Sequence, residues 1–156
     1  MPHVNEKIDF TAEVFIVFKN TVLLRKHDKY KIWLSVGGHI ELDEDPNEAA
    51  IREVKEEVGL DVILYDNRVF KSDSNEYKEL IVPQFMNRHR ISNSHEHITL
   101  TFFATTNTNE LNVDLVKEVS DKLYWFTREE LSLLAADIKP SVKYYALTAL
   151  KTCGMD

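Results

Sequence analysis

The chain has 156 residues, 44% of them hydrophobic, which is enough to form the core of one domain. Its formal net charge of −7 argues against a general nucleic-acid binder or a membrane-surface protein, because both of those partners carry negative charge themselves. An anionic substrate would therefore need a cation between itself and an acidic site.

Cysteine usage and the N-terminal segment indicate where the protein works. A single cysteine, Cys153, excludes an internal disulfide and fits a reducing compartment. The first ten residues, MPHVNEKIDF, contain no long apolar run, so we expect neither a signal peptide nor a membrane span. The expected location is the cytoplasm, and the composition leaves a homodimer open.

The first elements in the chain are two predicted strands. Residues 10–18 alternate, with one face wholly apolar and the other half so, which is typical of a strand covered on both sides. A turn at Lys19 and Asn20 leads into a second strand from Thr21 to about Lys26. A charged loop and Trp33 then precede a pair of glycines. We expect His39, directly after that pair, to be a loop histidine that hydrogen-bonds locally.

A helix is predicted from Pro46 to Val58. Asp45 is a suitable N-cap, and Glu48, three residues later, completes a capping box. Proline fits the first helical position, where no amide donor is needed, and Gly59 can adopt the left-handed conformation that ends a helix. The buried stripe is predicted to contain Ala50, Ile51, Val54 and Val58.

Three carboxylates, those of Glu53, Glu56 and Glu57, share another face of this helix. Like charges at such spacing destabilise a helix by roughly 0.2–0.5 kcal/mol for each pair. A bound divalent cation would reverse that cost, and carboxylate oxygens suit hard cations such as magnesium, manganese or calcium. The alternative at this point is a solvated acidic face with no ligand.

The region after the helix is less regular. Strands are predicted over 61–71 and 80–86, and Pro83 assigns the second to a sheet edge or a bulge. Residues 88–97 are predicted to form a polar loop that contains two arginines, three histidines and Glu96. His95 and His97 would share a face of an extended chain, as zinc ligands do, but no third ligand of suitable spacing is visible.

The last part of the chain returns to clear patterns. Residues 98–105 alternate strictly and predict a strand, and 123–126 predict a short one. Thr127 and Glu130 form a second capping box, and Pro140 opens a final helix. Hairpins exclude a purely parallel sheet, so the sequence predicts an α/β fold in which a mixed sheet lies between helices.

The spacing of the fixed residues around the first helix carries a family resemblance. Gly38 is followed after five residues by Glu44, after seven more by the triplet from Arg52 to Val54, and then by Glu56, Glu57, Gly59 and Leu60. This segment resembles the Nudix box without a mismatch, so the chain resembles a Nudix hydrolase of the MutT-like type. Relatives usually carry proline before the glycine pair, and here Val36 stands in that place. The departure concerns the stiffness of the loop, because both glycines are present.

The resemblance implies an α/β/α sandwich over residues 1–156 as a single Nudix hydrolase domain, and a magnesium or manganese site. The metal ligands it implies are Glu53, Glu56, Glu57 and the carbonyl of Gly37. Glu53 would also accept a proton from the attacking water. Arg52 and Glu44 match residues that orient the carboxylates, although a plain helix salt bridge is an alternative for Arg52.

Residues outside the box are expected to select the substrate. The resemblance implies that Arg25 contacts substrate phosphates, with an idle surface arginine as the alternative. Glu96 is the candidate for an additional base or ligand from a loop, against a solvent-exposed glutamate. Tyr77 lies near the place of a tyrosine in dinucleoside polyphosphate hydrolases.

The reaction implied is hydrolysis of a phosphoric anhydride in a nucleoside diphosphate linked to another group. The first expectation is a nucleoside triphosphate pyrophosphohydrolase. Alternatives are a dinucleoside polyphosphate or nucleotide-sugar hydrolase and, in another class, a non-catalytic nucleotide-binding Nudix domain. A prenyl diphosphate isomerase on this fold would call for a cysteine near the active site, and Cys153 is poorly placed for that.

Overall fold

A computed structural model describes residues 7–112 and 122–155. The first six residues of the N-terminal segment, in which no signal peptide is expected, lie outside these ranges. The described part contains eight strands and three helices: β1 (Ile8–Phe18), β2 (Thr21–Lys26), β3 (Trp33–Leu34), β4 (Val36–His39), α1 (Pro46–Val58), β5 (Ile63–Leu64), β6 (Phe85–Arg90), β7 (Glu96–Thr105), β8 (Lys122–Thr127), α2 (Arg128–Leu133) and α3 (Pro140–Cys153).

All eight described strands belong to one mixed sheet, with β1 at its centre. β1 runs parallel to β7 along almost its whole length, and on its other edge it pairs antiparallel with β4 and then with β2. β7 pairs in turn with β6 and β5, and β2 pairs with β8 and β3. The mixed sheet that the hairpins predict is confirmed.

The helices cover both faces of the sheet. Alternate residues of β1, including Val14 and Ile16, pack with the buried stripe of α1 in one core cluster. The residues between them, Phe15 and Val17, pack with α2 and α3 in the second cluster. This is the α/β/α sandwich that the resemblance implies, and it explains why β1 is apolar on both alternations.

Helix α1 begins and ends where its sequence predicts. Asp45 accepts a hydrogen bond from the Glu48 amide, and the Glu48 carboxylate accepts one from the Asp45 amide, so the capping box is complete. Gly59 ends the helix in the left-handed region, at φ 72°. One member of the predicted stripe is wrong: Ile51 is 44% exposed. Ala49 fills the buried position instead.

The predictions for residues 61–97 are partly wrong. Only Ile63–Leu64 of the first predicted strand pairs with β7, and the second begins at Phe85. Residues 88–97 form the end of a hairpin rather than a loop: β6 continues to Arg90, β7 starts at Glu96, and only residues 91–95 form the turn. The side chains of β6 are mostly exposed, and its backbone pairs with β7 on one side, so a polar composition here is compatible with an edge strand.

Candidate active site

The glycine pair lies in β4, pressed against the central strand. Gly37 lies opposite Glu13 and Gly38 opposite Ala12 in the β1 ladder. A β-carbon on Gly37 would come within 2.3 Å of the Ala12 carbonyl oxygen, so this backbone approach requires glycine. A β-carbon on Gly38 would lie 2.4 Å from Glu53 Oε1. The missing side chain of Gly38 therefore makes the space that the Glu53 carboxylate occupies.

Arg52 lies at the centre of a group of carboxylates around α1 and donates hydrogen bonds to three of them. Its guanidinium donates to both oxygens of Glu44, with Nε to Oε2 at 2.9 Å and Nη2 to Oε1 at 2.6 Å. It also donates to Glu53 Oε1 at 3.0 Å, to Glu56 Oε2 at 3.2 Å and to the His39 carbonyl at 3.0 Å. One planar cation thus fixes three carboxylates and the end of β4.

The contacts between Arg52 and Glu44 shift the pKa values of both side chains. The side-chain hydrogen bond with Arg52 holds the pKa of Glu44 below its ordinary value, and the Glu41 amide, which donates to Glu44, acts in the same direction. The hydrogen bond with Glu44 likewise raises the pKa of Arg52. Glu44 therefore stays ionised at neutral pH and holds the guanidinium in place. Arg52 contacts the carboxylates of Glu44, Glu53 and Glu56 together, which is more than a plain helix salt bridge.

Arg25 lies beside the third carboxylate of the helix. Its Nη1 is 3.5 Å from Glu57 Oε2, and both side chains are 22% exposed. Glu57 Oε2 is buried beside this guanidinium. A carboxylate oxygen in this position is suited to bind a cation, and Glu53, at 14% exposed, offers another. The donor set of α1 fits a hard divalent ion.

The structure does not bring Glu96 to this group. Glu96 forms a two-pronged ion pair with Arg88, at 2.8 and 2.9 Å, and this hydrogen bonding lowers the pKa of the carboxyl. In the parallel ladder Glu96 lies opposite Ile8, whereas Gly38 lies opposite Ala12. Four residues of strand separate the two positions by about 13 Å.

Tyr77 also has a partner of its own. Its ring is 55% exposed, and its hydroxyl donates to Glu79 in the same loop, which raises the pKa of the tyrosine. That loop is tied to the start of α1 by two hydrogen bonds between the Asn47 side chain and the backbone of Ile81, at 2.8 and 3.0 Å. These contacts place Ile81, four residues after Tyr77, at the N-terminal end of α1.

A second polar cluster, on the opposite face of the sheet, was not expected. Asp9 is 2% exposed and is surrounded by the Nε2 atoms of His39, His95 and His97, at 2.9, 3.2 and 3.0 Å. The local hydrogen bond predicted for His39 is therefore wrong, because its ring reaches across to β1. Further along β1, Glu13 accepts hydrogen bonds from Ser35 and Thr101, both at 2.6 Å.

The sequence contained one signal for this cluster. Asp9, Thr11 and Glu13 occupy every second position in a strand that is otherwise apolar, which marks a polar stripe on one face. The structure continues the stripe on β7, where Thr11 and Thr99 share a 2.6 Å hydrogen bond. Only the parallel pairing of β1 with β7 brings Asp9 beside His97.

In this α/β/α sandwich a helix with three carboxylates lies beside a glycine pair on a strand, an arrangement suited to a metal ion that assists the hydrolysis of phosphoric anhydrides. Comparison with known proteins identifies the family of the chain. A family model described as NUDIX domain matches residues 10–147. The chain belongs to the Nudix family. Enzymes of this family generally use a divalent metal and bind nucleotide substrates.

Several solved structures are similar to this chain, and two of them show how far the similarity in sequence and fold extends. A hydrolase of the NUDIX family from Clostridium perfringens has a solved structure that is 36% identical and superposes with a TM-score of 0.77, covering 92% of this chain and 96% of that one. A C. elegans Ap4A hydrolase in a binary complex is 16% identical with a TM-score of 0.60, covering 92% and 93% of the two chains, and shows the fold alone.

A further relative matches the sequence of this chain over a shorter stretch. It is the dihydroneopterin triphosphate diphosphatase of Haemophilus influenzae, 39% identical over 90 residues. The match covers 54% of this chain and 56% of that protein.

None of the described helices is both long and apolar enough to cross a membrane.

Proposed function

We propose that this chain is a pyrophosphohydrolase of nucleoside triphosphates or of closely related heterocyclic triphosphates, dependent on Mg²⁺ or Mn²⁺, and that residues 1–156 work as a single domain. The observation that carries the proposal is the group formed by Glu53, Glu56 and Glu57 around Arg52, beside the close-packed glycine pair. The metal ligands are these three glutamates and the carbonyl of Gly37.

The bound cation would neutralise phosphate oxygens and acidify a water molecule. The protein's own part is to hold the reacting groups in position. Arg52 fixes Glu53 at 3.0 Å, so this carboxylate can accept the proton of the attacking water without losing its orientation. Glu44 keeps Arg52 in place through both of its oxygens. Water adds across one P–O–P bridge, and two phosphate-containing products leave.

Arg25 is proposed to contact the substrate phosphates. It lies within ion-pair distance of Glu57, so its cation already stands beside the proposed metal ligands. A guanidinium is well suited to phosphate oxygens because its donors are arranged as a fixed fork. Contact with the substrate would exchange part of its attraction to Glu57 for attraction to a phosphate.

Two observations bear on the substrate. The curated relative acts, by its name, on dihydroneopterin triphosphate, which makes a pterin triphosphate the second candidate beside the nucleoside triphosphates. Tyr77 hydrogen-bonds to Glu79 in its own loop, which gives no support to the dinucleoside polyphosphate alternative. Nucleotide sugars gain no support from the described residues either.

We further propose a cytoplasmic location. The one cysteine, Cys153, is partly buried, and burial raises the pKa of its thiol to about 11, which keeps it unreactive. A homodimer is the proposed assembly, and light scattering of the purified 18.2 kDa chain tests it, because a dimer has twice that mass.

The decisive experiment is a substrate panel. The purified chain is incubated with Mg²⁺ and with nucleoside triphosphates, dihydroneopterin triphosphate, dinucleoside polyphosphates and nucleotide sugars, and the products are identified by mass. Release of pyrophosphate and a monophosphate from a triphosphate is the expected result. Turnover confined to dinucleoside polyphosphates or nucleotide sugars would overturn the substrate proposal, and no turnover at all would overturn the assigned reaction.

A further inference from the structure

The cluster around Asp9 has the composition of a transition-metal site. Asp9 comes from β1, His39 from the end of β4, His97 from β7, and His95 from the turn just before β7. The ligand atoms of Asp9, His95 and His97 all lie within 4.8 Å of one another. Imidazole nitrogens with one carboxylate are a donor set that zinc and neighbouring divalent metals prefer, whereas magnesium prefers oxygen alone.

The contacts within the cluster are short but are not hydrogen bonds. Neither oxygen of Asp9, nor Nε2 of His39, forms a hydrogen bond with the described part of the chain, although all three atoms are buried. A carboxylate 98% buried without a hydrogen bond is costly, so the arrangement needs another source of stabilisation. A metal ion between the four side chains would supply it.

The distances from the Asp9 oxygens to the imidazole nitrogens also match those in a coordination sphere. Ligand atoms around a tetrahedral zinc ion with bonds of about 2.0–2.1 Å lie about 3.3 Å apart. The observed separations between Asp9 and the three imidazoles are 2.9–3.2 Å, so small rotations of the side chains would admit the ion. The three histidines are 16–25% exposed, which leaves a path for the ion from solvent.

We propose that Asp9, His95 and His97 bind one divalent transition-metal ion, with Zn²⁺ the best match. His39 is the fourth ligand. The site lies on the face of the sheet opposite α1, so it is distinct from the magnesium site proposed for the Nudix box. The third and fourth ligands missing from the sequence pattern are those that β1 and β4 bring in.

The metal would act on the architecture of the active site. His39 follows Gly38 directly, and its carbonyl accepts a hydrogen bond from Arg52. A metal that joins His39 to β1 and β7 therefore fixes the end of the strand that contains both glycines. The ion is structural in this proposal, because its four protein ligands leave no position open for a substrate.

The test uses the full chain, stripped with a chelator and dialysed. Zn²⁺ is titrated in competition with a chromophoric chelator and in an excess of Mg²⁺, and Co²⁺ is added separately to record its visible spectrum. We expect one Zn²⁺ per chain and the intense absorption of four-coordinate Co²⁺. No saturable binding, or the weak spectrum of six-coordinate Co²⁺, would overturn the proposal.

Variants assign the ligands. His97→Ala and Asp9→Asn should weaken zinc binding by more than about 100-fold, beyond the 10–100-fold typical of changes outside the coordination sphere. His27→Ala, which removes a loop histidine that packs on Tyr30, is the matched control and should bind zinc as the wild type does. Glu57→Gln should also retain zinc. Wild-type affinity in folded His97→Ala, or loss in Glu57→Gln, would contradict the assignment. If Asp9→Asn does not fold, the wild-type cobalt spectrum still decides.

Discussion

The two faces of the central sheet hold two polar groups that differ in side-chain chemistry and in burial. On the α1 side, Glu44, Glu53, Glu56 and Glu57 outnumber the two arginines among them, and the carboxylates are partly exposed. On the other side, one buried carboxylate is enclosed by three imidazoles. The first arrangement suits a hard cation that must meet solvent and substrate, and the second suits a softer ion held permanently. The difference in ligand chemistry is the basis for proposing two separate cation sites on the two faces of one sheet.

The comparison is tested most severely by removing a carboxylate from α1. Glu53→Gln and Glu57→Gln should each lower Mg²⁺-dependent turnover by about 10³-fold or more, because a metal ligand contributes several kcal/mol to the transition state. Initial rates at saturating Mg²⁺ measure the effect, with circular dichroism as the control for folding. Near-wild-type rates in both variants would refute the assignment of the α1 carboxylates.

Zinc should raise the stability of the fold. At a free Zn²⁺ concentration 100 times its Kd, the wild type should gain about 2.7 kcal/mol in the free energy of unfolding. For a chain of this length, that corresponds to a rise in Tm of roughly 5–10 °C. Thermal melts with and without Zn²⁺ measure it, and His97→Ala should show no such rise. An equal rise in both proteins would place the zinc elsewhere.

The two glycines should separate activity from folding. Gly38→Ala places a methyl 2.4 Å from the flexible Glu53 carboxylate, which must move, so turnover should fall by roughly 10–100-fold while the fold survives. Gly37→Ala places its methyl 2.3 Å from the Ala12 carbonyl oxygen, which cannot yield easily, and should cost about 1–3 kcal/mol of stability. Melting curves and rates of the two variants, measured side by side, test this contrast. A reversal of the two effects would contradict the roles assigned to Gly37 and Gly38.

Arg52 should be sensitive even to lysine. Arg52→Lys retains the charge but loses the fork that reaches both oxygens of Glu44, so turnover should fall by about tenfold. Glu44→Gln and the double variant complete a cycle, and the two losses should not add. The stabilisation of the fold by the Arg52–Glu44 pair also depends on pH. Because the folded pKa of Glu44 is depressed, the pair's stabilisation is present above the unfolded pKa and is lost as pH falls through the folded one. Strict additivity of the two losses would exclude a functional pair.

The smallest effect is expected at Glu96. Since this carboxylate is paired with Arg88 and lies apart from α1, Glu96→Gln should change turnover by less than about threefold. Steady-state rates of this variant beside those of Glu57→Gln provide the measurement. A loss as large as that of Glu57→Gln would mean that β7 moves toward the active site, and would restore the catalytic role that the sequence predicts.

The parts of the fold that local chemistry controls were predictable. The α1 boundaries follow from Asp45, Pro46 and Gly59, whose capping roles act within one turn of the helix. The hairpin at Lys19 follows from adjacent apolar strands, and it forms with Phe18 opposite Thr21. In contrast, the hairpin that contains Arg88 was read as a loop, because a polar edge strand lacks the hydrophobic alternation on which the prediction relies.

The sequence by itself determined the Nudix box and its carboxylates, since residues three and four apart on one helix must share a face. Only the tertiary structure decided which distant residues join them. Arg25 reaches Glu57 because β2 lies near α1, and Asp9 meets His97 because β1 and β7 run parallel in one register. The separation of 88 positions between Asp9 and His97 leaves no periodic pattern in the chain, because strand pairing at that separation depends on the whole sheet.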